Sequence, residues 1–464
     1  MFGSKCPLRF GTSRQAREHS SRGCIWWLGV VPAWLLLIGI SLTAEPNLVL
    51  EPLGDFVTSD PLPAPRIFTS GRTPNQQHVA TGLNHLVDRS RLVGQSATMT
   101  PGLQPLIPMY SPLAPPVQRA MLSSLGGEVY GSMQTLSLQI AGGSLRTVSN
   151  RIVNTDLFLH EGDSLYLADN NTDSLSSGSP IIRGQQPVSF VSGWMQGYGG
   201  SGGYSYDGNA SASDFGMGGM AYGIDLGRDE TGVIGIMGGN TFTSFDDNLS
   251  DSVRVNSFQI GIYGLKRNDV SYFFGVMNYG HNRFDVNRIA GLGIAPSAAS
   301  SSFAGNQFGS YYELGMNLET NSFRLQPFAG LQHVVMSNSQ AHESGPAGLN
   351  VAAENFNSLQ SHLGARLIAH RLTDAHGRRW TPYLNGRWAM ELLDNQASVF
   401  ASLNGAPSAG WVVSGNQPAR NIGMIGPGLT VELSRGMSLF AAYEYQWGAN
   451  FRAQTGTGGF LFTF

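Results

Sequence analysis

The chain contains ten histidines, but they do not form a cluster with the spacing of a catalytic or metal site. The zinc-binding pattern H-E-x-x-H and the phosphate-binding P-loop are absent from the sequence. His362 and His370 share one face of a predicted strand, but eight residues of extended chain separate them too widely for one metal ion. The sequence therefore predicts no catalytic residue, no metal ligand and no cofactor, and indicates that the protein is not an enzyme.

A second set of charged residues lies in segments that alternate apolar and polar side chains. Strand parity predicts that these charges face inward, toward an enclosed lumen, if the segments form a closed sheet. The predicted lumen charges are Glu313, Arg366, Arg387, Glu391 and Glu444. Two interpretations stay open: lumen water hydrates them, or some pair with Arg146 or Arg151 and hold a helix inside the sheet.

The elements that would position these charges are twelve strand-like segments between about Val188 and Phe464. The connections between them alternate in length along the chain. Long connections are predicted at 199–213, 244–256, 285–305, 337–354 and 394–420, and shorter ones at 227–230, 266–269, 319–322, 372–379 and 434–437. An even strand count with long loops on one rim and short turns on the other is typical of bacterial outer-membrane β-barrels.

The strands themselves alternate with a period of two. In the segment from Ser257 to Leu265, for example, the apolar residues Phe258, Ile260 and Ile262 alternate with small or polar ones. This pattern predicts one face toward lipid and one toward the lumen. A sheet in lipid must close, because an open edge leaves backbone groups without partners. A soluble β-sandwich also alternates, but it does not require connections of alternating length.

The last strand ends in aromatic residues. Phe460, Phe462 and Phe464 share one face of this strand. Aromatic residues at a lipid-facing strand end are typical of the girdles of outer-membrane barrels. We therefore expect these three residues to act as a membrane-assembly signal.

The composition agrees with a barrel in which one face of each strand contacts lipid and the other contacts a hydrated lumen. Charged residues make up 13% of the chain, against roughly a quarter in ordinary soluble domains. Mean hydropathy is −0.09, far below that of a helical membrane protein. Removing five basic and one acidic leader residue from totals of 28 and 31 leaves 23 and 30, a formal charge of −7. This balance does not favour nucleic-acid binding.

Residues 1–44 have the pattern of an export signal. A basic leader precedes the uncharged apolar run Ile25–Leu42, and Ala44 is a small residue suited to cleavage. A retained inner-membrane anchor is the alternative interpretation. Both cysteines, Cys6 and Cys24, lie in this leader, so we expect a mature chain without disulfides.

Two regions separate the predicted signal from the predicted barrel. Residues 45–72 are rich in proline, which favours an extended or disordered tail. Residues 73–187 contain helical patterns followed by a polar linker, and Thr73 with Pro74 has the pattern of a helix start. The expected domains are therefore signal peptide, short tail, pre-barrel helical segment with linker, and barrel from 188 to 464.

Several blocks of the chain, in this order, resemble the translocator unit of autotransporters, the type V secretion proteins. The resemblance extends from about Thr73 to Phe464. The blocks are TPNQQHVATGLNHL (73–86), LSSLGGEVYGSMQ (122–134), GGMAYGIDLG (218–227), LQPFAGLQHV (325–334), ESGPAGLNV (343–351), SHLGARL (361–367) and LSRGMSLFAAYEYQWGANF (433–451).

The resemblance implies a twelve-stranded antiparallel transmembrane β-barrel with an α-helix threaded through its lumen, at about Ser144–Asn171. It implies a monomeric barrel in outer-membrane lipid, inserted by the general barrel-assembly machinery with periplasmic chaperones. It also implies that the barrel assists export of its N-terminal passenger to the cell surface. Some members of the family cleave themselves at an asparagine, but the specific cleavage block is not recognisable around Asn150 and Asn154.

The passenger is where this sequence departs from the family. Only residues 45–72 lie between the predicted signal and the first matching block, whereas family passengers are long β-helical repeats. Two functions therefore stay open. The chain is an autotransporter-type barrel that exports its own short N-terminal segment, or a cargo-less structural or adhesive barrel that acts through its long loops. An open pore is a third interpretation.

Overall fold

The computed structural model describes residues 66–92, 113–159, 192–229, 231–291, 296–370, 372–393, 396–407, 410–434 and 436–463. Its helices are α1 (Pro74–Leu92), α2 (Pro115–Gly126) and α3 (Glu128–Leu159). No helix among these residues is long and apolar enough to cross a membrane. The strands are β1 (Ser192–Tyr204), β2 (Ser213–Asp229), β3 (Gly232–Asp247), β4 (Ser252–Arg267), β5 (Ser271–Ala290), β6 (Ser297–Met316), β7 (Leu318–Glu319), β8 (Phe323–Asn338), β9 (Ala341–His342), β10 (Leu349–Val351), β11 (Glu354–Ala369), β12 (Leu372–Thr373), β13 (Arg379–Glu391), β14 (Ser398–Leu403), β15 (Gly410–Ser414), β16 (Asn421–Ser434), β17 (Met437–Gly448) and β18 (Phe451–Thr463).

Twelve of these strands form a closed antiparallel barrel. Strand β1 pairs with β2 on one side and with β18 on the other, so the first and last strands complete the sheet. In order around the barrel the strands are β1, β2, β3, β4, β5, β6, β8, β11, β13, β16, β17 and β18. The predicted twelve-stranded antiparallel barrel is confirmed.

The barrel has two unlike rims. We call the rim with the short connections, such as those between β2 and β3 or β16 and β17, the turn rim. The opposite rim, which carries the connections 205–212, 339–353 and 392–420, is the loop rim. Strand β1 begins and β18 ends at the turn rim, where Ser192 is the register partner of Thr463.

The two faces of the barrel wall differ as the period-two pattern predicts. In β4, Phe258, Ile260 and Ile262 are about half exposed, while Tyr263 and Leu265 of the other parity are buried. In a soluble protein, these outward apolar residues would contact water. That contact costs about 25 cal/mol per Å² of apolar surface. Lipid removes that cost, and the outward band is therefore suited to a bilayer.

Four short strands form a second sheet at the loop rim. Its strand order is β15, β14, β10 and β9. A backbone bridge between Ser300 and Ser344 joins it to β6. Much of what the sequence pattern indicated as two long loops is therefore paired backbone, because each loop supplies one half of this sheet.

Helix α3 occupies the lumen, but it begins earlier than the resemblance implied. It starts at Glu128 and continues without a break through Gly142 and Gly143 to Leu159. The placement at 144–171 was therefore wrong at its start. Each mid-helix glycine costs about 1 kcal/mol relative to alanine, and burial of the flanking residues outweighs that cost. A helix of 32 residues is ~48 Å long, long enough to extend from the loop rim to the turn rim.

The ends of the helices follow from local sequence. The Thr73 hydroxyl accepts a bond from the Gln76 backbone N–H at 3.2 Å, and the Gln76 side chain accepts from the Thr73 N–H at 3.4 Å. This reciprocal arrangement is a capping box, with Pro74 in the first turn as predicted. Gly127 separates α2 from α3 in a left-handed conformation (φ 77°), which a residue with a Cβ rarely adopts.

Barrel closure can be tested with a cysteine pair across β1 and β18. Ser201 and Gln454 are register partners, and their side chains meet at 3.4 Å on the outward face. Directly opposed residues in antiparallel strands lie within disulfide range. In a background without Cys6 and Cys24, Ser201→Cys with Gln454→Cys should therefore form a disulfide in folded protein, seen as a mobility shift on non-reducing gels.

The matched control keeps Ser201→Cys and moves its partner to Asn306→Cys on β6, several strands away. That pair should stay reduced. Failure of the first pair to bridge, or equal bridging by both pairs, would contradict the closed order of strands.

Candidate functional site: the lumen helix and the loop-rim cap

The middle of α3 is buried on all sides by the barrel. Leu138, Ala141, Leu145 and Val148 are each no more than 4% exposed. They share one apolar cluster with lumen-facing residues of β1 to β6, including Tyr263. The lumen therefore encloses the helix as a protein core would.

Polar wall residues bind the helix as well. Gln196 Nε2 of β1 donates to the carbonyl of Thr147 at 2.7 Å, and Asn278 Nδ2 of β5 donates to Ser144 Oγ at 2.9 Å. Each bond satisfies a group that the enclosed lumen removes from bulk water. The helix is thus fixed in rotation and in height relative to the wall.

Near the turn rim, Arg151 of α3 forms a buried ion pair with Asp225 of β2, and both side chains are at most 1% exposed. Ser192 and Tyr263 also donate to the Asp225 carboxylate, the latter at 2.6 Å. The Arg151 guanidinium lies 5.7 Å from the ring centre of Trp194 and 5.3 Å from that of Tyr263. These contacts hold the turn-rim end of the helix against the wall.

Halfway along the helix, Arg146 lies 3.4 Å from Glu444 of β17. The same carboxylate accepts from Arg387 of β13 at 2.7 Å, and Arg387 Nε also contacts the Met424 sulfur at 3.0 Å. A Cβ on Gly142 would lie 2.9 Å from Arg146 Nη1. Glycine at that position therefore leaves space for the guanidinium between helix and wall.

The remaining predicted lumen charges bind other parts of the wall. Glu313 of β6 and Arg366 of β11 form two bonds of 2.6 and 2.8 Å. Tyr272 and Tyr311 donate to Glu313 at 2.7 and 2.5 Å, and the Arg366 guanidinium lies 4.2 Å from the ring centre of Phe328. This cluster joins strands β5, β6, β8 and β11 to one another.

Glu391 lies at the loop-rim end of β13. Its carboxylate accepts from Ser358 Oγ at 2.6 Å and from the Leu359 N–H at 2.9 Å. These bonds connect β13 with β11. Of the five predicted lumen charges, Glu444 is the one with an ion pair to the helix among the residues described.

The two histidines singled out from the sequence are not brought together. His362 is buried, with its ring edge-on to Tyr311 at 5.4 Å. His370 is near the turn rim, where its Nε2 lies 2.7 Å from the Thr320 carbonyl. Within the described ranges, no three His, Cys, Asp or Glu side chains converge as a metal site.

Sequence reasoning missed Asp225 as the partner of Arg151, although the sequence carries its signal. Tyr222 and Ile224, in the same strand, are each 48% exposed and face outward. Asp225 has the opposite parity and therefore faces the lumen. Strand parity applied to β2 would have identified it.

At the loop rim, α1, α2 and the sheet of β9, β10, β14 and β15 pack into one unit, which we call the cap. Val79 of α1 and Leu122 of α2 are fully buried in its core. Trp411 of β15 donates from Nε1 to the carbonyl of Gly126 at 3.0 Å. A Cβ on Gly82 would lie only 2.8 Å from the Trp411 ring, so glycine permits this close contact.

A buried ion pair joins the cap to the barrel wall. Arg288 of β5 donates to both carboxylate oxygens of Glu343 at 2.7 and 2.9 Å, and both side chains are fully buried. Tyr130 of α3 donates to Glu343 at 2.8 Å, as does the Leu349 N–H of β10. Arg288 also donates to the Ser124 carbonyl at 2.7 Å. The Arg288–Glu343 pair therefore connects the barrel wall with the cap sheet and with the two helices α2 and α3.

A second junction at the loop rim contains a buried carboxyl without a cationic partner among its described contacts. Glu128, the first residue of α3, accepts from Asn75 Nδ2 at 3.1 Å and from the Ser211 N–H at 3.2 Å. Asn75 also donates to the Ser414 carbonyl of β15 at 2.7 Å. Burial raises the pKa of Glu128 to about 7, and the nearby charge of Asp247 acts in the same direction.

The segment before α1 is held by two amide side chains. Asn84 Oδ1 of α1 accepts from the Ile67 and Phe68 N–H groups at 3.1 Å, and Asn84 Nδ2 donates to the Phe68 carbonyl at 3.1 Å. Gln118 of α2 accepts from the Ser70 N–H at 3.0 Å and donates to the Ile67 carbonyl at 3.2 Å. The Phe68 ring is buried in the cap core.

The predicted assembly signal lies partly within the described residues. Phe460 and Phe462 are 41% and 37% exposed, and their rings stack 6.1 Å apart on the outward face of β18. Phe464 lies outside the described residues. Its part in a membrane-assembly signal stays a prediction.

The comparisons with known proteins agree with this geometry. A family model described as Autotransporter beta-domain matches residues 193–444. The solved translocator domain of the autotransporter NalP from Neisseria meningitidis aligns with a TM-score of 0.55 and 16% identity. The alignment covers 73% of this chain and 100% of the NalP domain, and shows a shared fold.

Two curated relatives match a shorter segment. An extracellular serine protease from Serratia marcescens is 26% identical over 175 residues, which is 36% of this chain and 17% of the protease. The probable autotransporter YpjA from Escherichia coli strain K12 is 27% identical over 183 residues, 38% of this chain and 12% of YpjA. The chain thus matches only a small part of either relative's length.

The Arg151–Asp225 pair can be tested by removing one charge. Asp225→Asn keeps the size of the side chain but leaves a buried guanidinium without its counter-charge, which should cost about 3–5 kcal/mol. We expect the purified barrel to unfold at a lower temperature and to show a higher ion conductance, because the turn-rim end of the helix is released. Heat-modifiable migration and planar-bilayer recordings measure both.

The matched control is Glu432→Gln, which weakens a more exposed pair with Arg379 in the wall and should cost nearer 1 kcal/mol. Equal effects of the two variants would contradict the assignment of the buried pair as the contact that holds the helix.

The raised pKa of Glu128 predicts that the cap depends on pH. The ordinary value is 4.5 and the folded value about 7, so the folded cap retains a proton that the unfolded chain loses. Cap stability should be full below pH 4.5 and fall as pH rises to about 7. Hydrogen-exchange protection of α1 should therefore be lower near pH 8 than near pH 5. Glu128→Gln should reduce this difference. Burial also raises the pKa of Asp251 at the loop rim to about 8, so part of the difference should remain. An unchanged difference in the Glu128 variant would contradict the assignment.

Proposed function

Because the chain belongs to the autotransporter β-domain family, we propose that its barrel carries the chain's own N-terminal segment to the external side of the outer membrane. The protein is an outer-membrane β-barrel of the autotransporter type. What is specific to this chain is the cargo. We assign it as the segment before α3, which includes the short proline-rich tail and the two cap helices.

The observation that carries the proposal is the direction of α3. Its first residue, Glu128, contacts the connection 205–212 at the loop rim through Ser211, and Arg151, near its other end, contacts Asp225 close to the turn rim. Everything described before α3 lies in the cap at the loop rim. If the loop rim is external, as is usual for such barrels, the N-terminal segment is in the position of an exported passenger.

The width of the barrel supports passage of this cargo in an unfolded or helical form. Twelve strands enclose more space than the side-chain-filled eight-stranded barrels and less than the porins. The buried α3 shows that one helix and its side chains fill this lumen. A folded cap would therefore be too wide to pass, so α1 and α2 must pack against each other after crossing.

The position of the cap at the loop rim also supports a proposed division of the chain into segments. We propose that residues 1–44 are removed as a signal peptide, that residues 45–72 form a surface tail, and that residues 73–187 provide the cap helices, the lumen helix and the linker to the barrel. The clamp by Asn84 and Gln118 begins at Ile67. The end of the proposed tail is therefore held by the cap.

Insertion into the membrane is proposed to follow the family route. The general barrel-assembly machinery and periplasmic chaperones would receive the barrel through its last strand. The outward stack of Phe460 and Phe462 supports this, since aromatic pairs at strand ends suit the interfacial girdle. We propose that Phe464 extends the same face.

An epitope tag inserted between residues 51 and 66 tests the direction of export. The tag should be accessible to antibody on intact cells, because the clamped segment 67–70 holds the adjacent chain at the loop rim. Flow cytometry of unpermeabilised cells provides the measurement.

The matched control is the same tag in the exposed turn between Asp374 and Arg378 at the turn rim, which should be detected only after the outer membrane is broken. The reverse pattern would contradict the proposed orientation. If neither tag is accessible on intact cells, the barrel does not export its N-terminus, and the loop-based surface function would take its place.

A further inference from the structure

A cluster of hydrogen-bond donors lies on the outward face of three neighbouring strands. It is located between the loop rim and the band of exposed apolar residues on that face, which we call the apolar band. It consists of Arg254 and Asn256 of β4, His281 and Arg283 of β5, and Asn306 of β6, all of them exposed. We call it the donor cluster. On the turn-rim side it adjoins Phe258, Tyr279 and Phe308, which are 54%, 48% and 41% exposed and belong to the apolar band.

Strand register brings these donors together. Asn256 is directly opposite Arg283, and His281 is directly opposite Asn306. Arg254 and Asn256 are successive outward-facing residues of β4, two positions apart. Arg254 is therefore a diagonal neighbour of Arg283. Directly opposed side chains lie about 5 Å apart and diagonal ones about 7–8 Å apart. One small anion can therefore reach several of these donors.

Part of the cluster is already fixed in place. The Asn306 Oδ1 accepts from the Tyr279 hydroxyl at 2.8 Å and lies 3.0 Å from His281 Nδ1. The side-chain oxygen of Asn306 is thereby used within the wall. Its amide N–H groups and the far nitrogen of His281 remain directed away from that contact.

The two arginines of the cluster differ in their acidic neighbours. Asp285 lies directly opposite Arg254, and the exposed Asp246 of β3 is a diagonal neighbour of Arg254. Arg283 has the uncharged partners Asn256 and Ala304 on either side. Neither arginine has an ion pair or a hydrogen bond with any residue that the structure describes. The guanidinium donors at the loop-rim edge of the apolar band are therefore not used within the described wall.

We propose that the donor cluster binds the phosphate of a lipid headgroup in the external leaflet of the outer membrane. Guanidinium groups bind phosphate through paired N–H donors, and the apolar band below receives the acyl chains. The cluster lies toward the loop rim, so the assignment to the external leaflet rests on the orientation given under the proposed function. The lipid would fix the height of the barrel and cover the wall of β4 to β6.

The test uses the full mature protein purified in detergent, with lipid A as the probe. Native mass spectrometry follows lipid A retained by the barrel as its concentration rises. Arg254→Gln with Arg283→Gln should weaken binding by about tenfold or more, because two charge-assisted contacts are lost. The matched control, Arg420→Gln with Arg452→Gln, removes two exposed arginines outside the donor cluster and should bind as the parent does.

Three results would overturn the proposal. The first is equal binding by the cluster variant and the control, with heat-modifiable migration verifying that both are folded. The second is equal binding of lipid A before and after enzymatic removal of its phosphates, which would indicate acyl contact alone. The third is displacement of lipid A by inorganic phosphate at millimolar concentration, which would indicate a site for the free anion. Because the assay is done in detergent, a wrong orientation in cells would leave its result unchanged.

Discussion

Closure between β1 and β18 is the constraint on which the other features depend. Backbone groups in lipid have no water to bind, so a spanning sheet is stable only when its first and last strands pair. Here the two strands pair along their whole length, from Ser192 with Thr463 to Tyr204 with Phe451. Closure creates a lumen, and a lumen of this width contains polar side chains that must be either hydrated or bonded.

Helix α3 supplies those bonds and explains where the lumen charges lie. A charge removed from water needs a partner, and losing one member of a buried pair costs about 3–5 kcal/mol. Arg151 is matched by Asp225 and Arg146 by Glu444, while Glu313 and Arg366 are matched within the wall. The helix is therefore held at two heights by charge and between them by apolar packing.

The barrel could be predicted from the sequence because its signals are local. Period-two alternation, the lengths of the connections and the aromatic last strand each lie within a few consecutive residues. The start of α3 was missed because Gly142 and Gly143 weaken the helical pattern, and only burial in the lumen compensates for them. The cap sheet was missed for a different reason. Its strands are two to six residues long, and they pair across connections far apart in the sequence.

The cap connects the proposed passage of the N-terminal segment with closure of the barrel. Val79 and Leu122 are buried against one another's helices and against β14 and β15, which exist as a sheet only at the loop rim. A chain still inside the lumen has no access to that surface. Burying such side chains yields about 1.5–3 kcal/mol each. If α1 and α2 cross the lumen as proposed, the free energy of cap formation is available only after they have crossed. A segment that has crossed is then held by the cap core, by the Arg288–Glu343 pair beneath it and by the buried Phe68 at its end. Return of such a segment through the lumen would require these contacts to break.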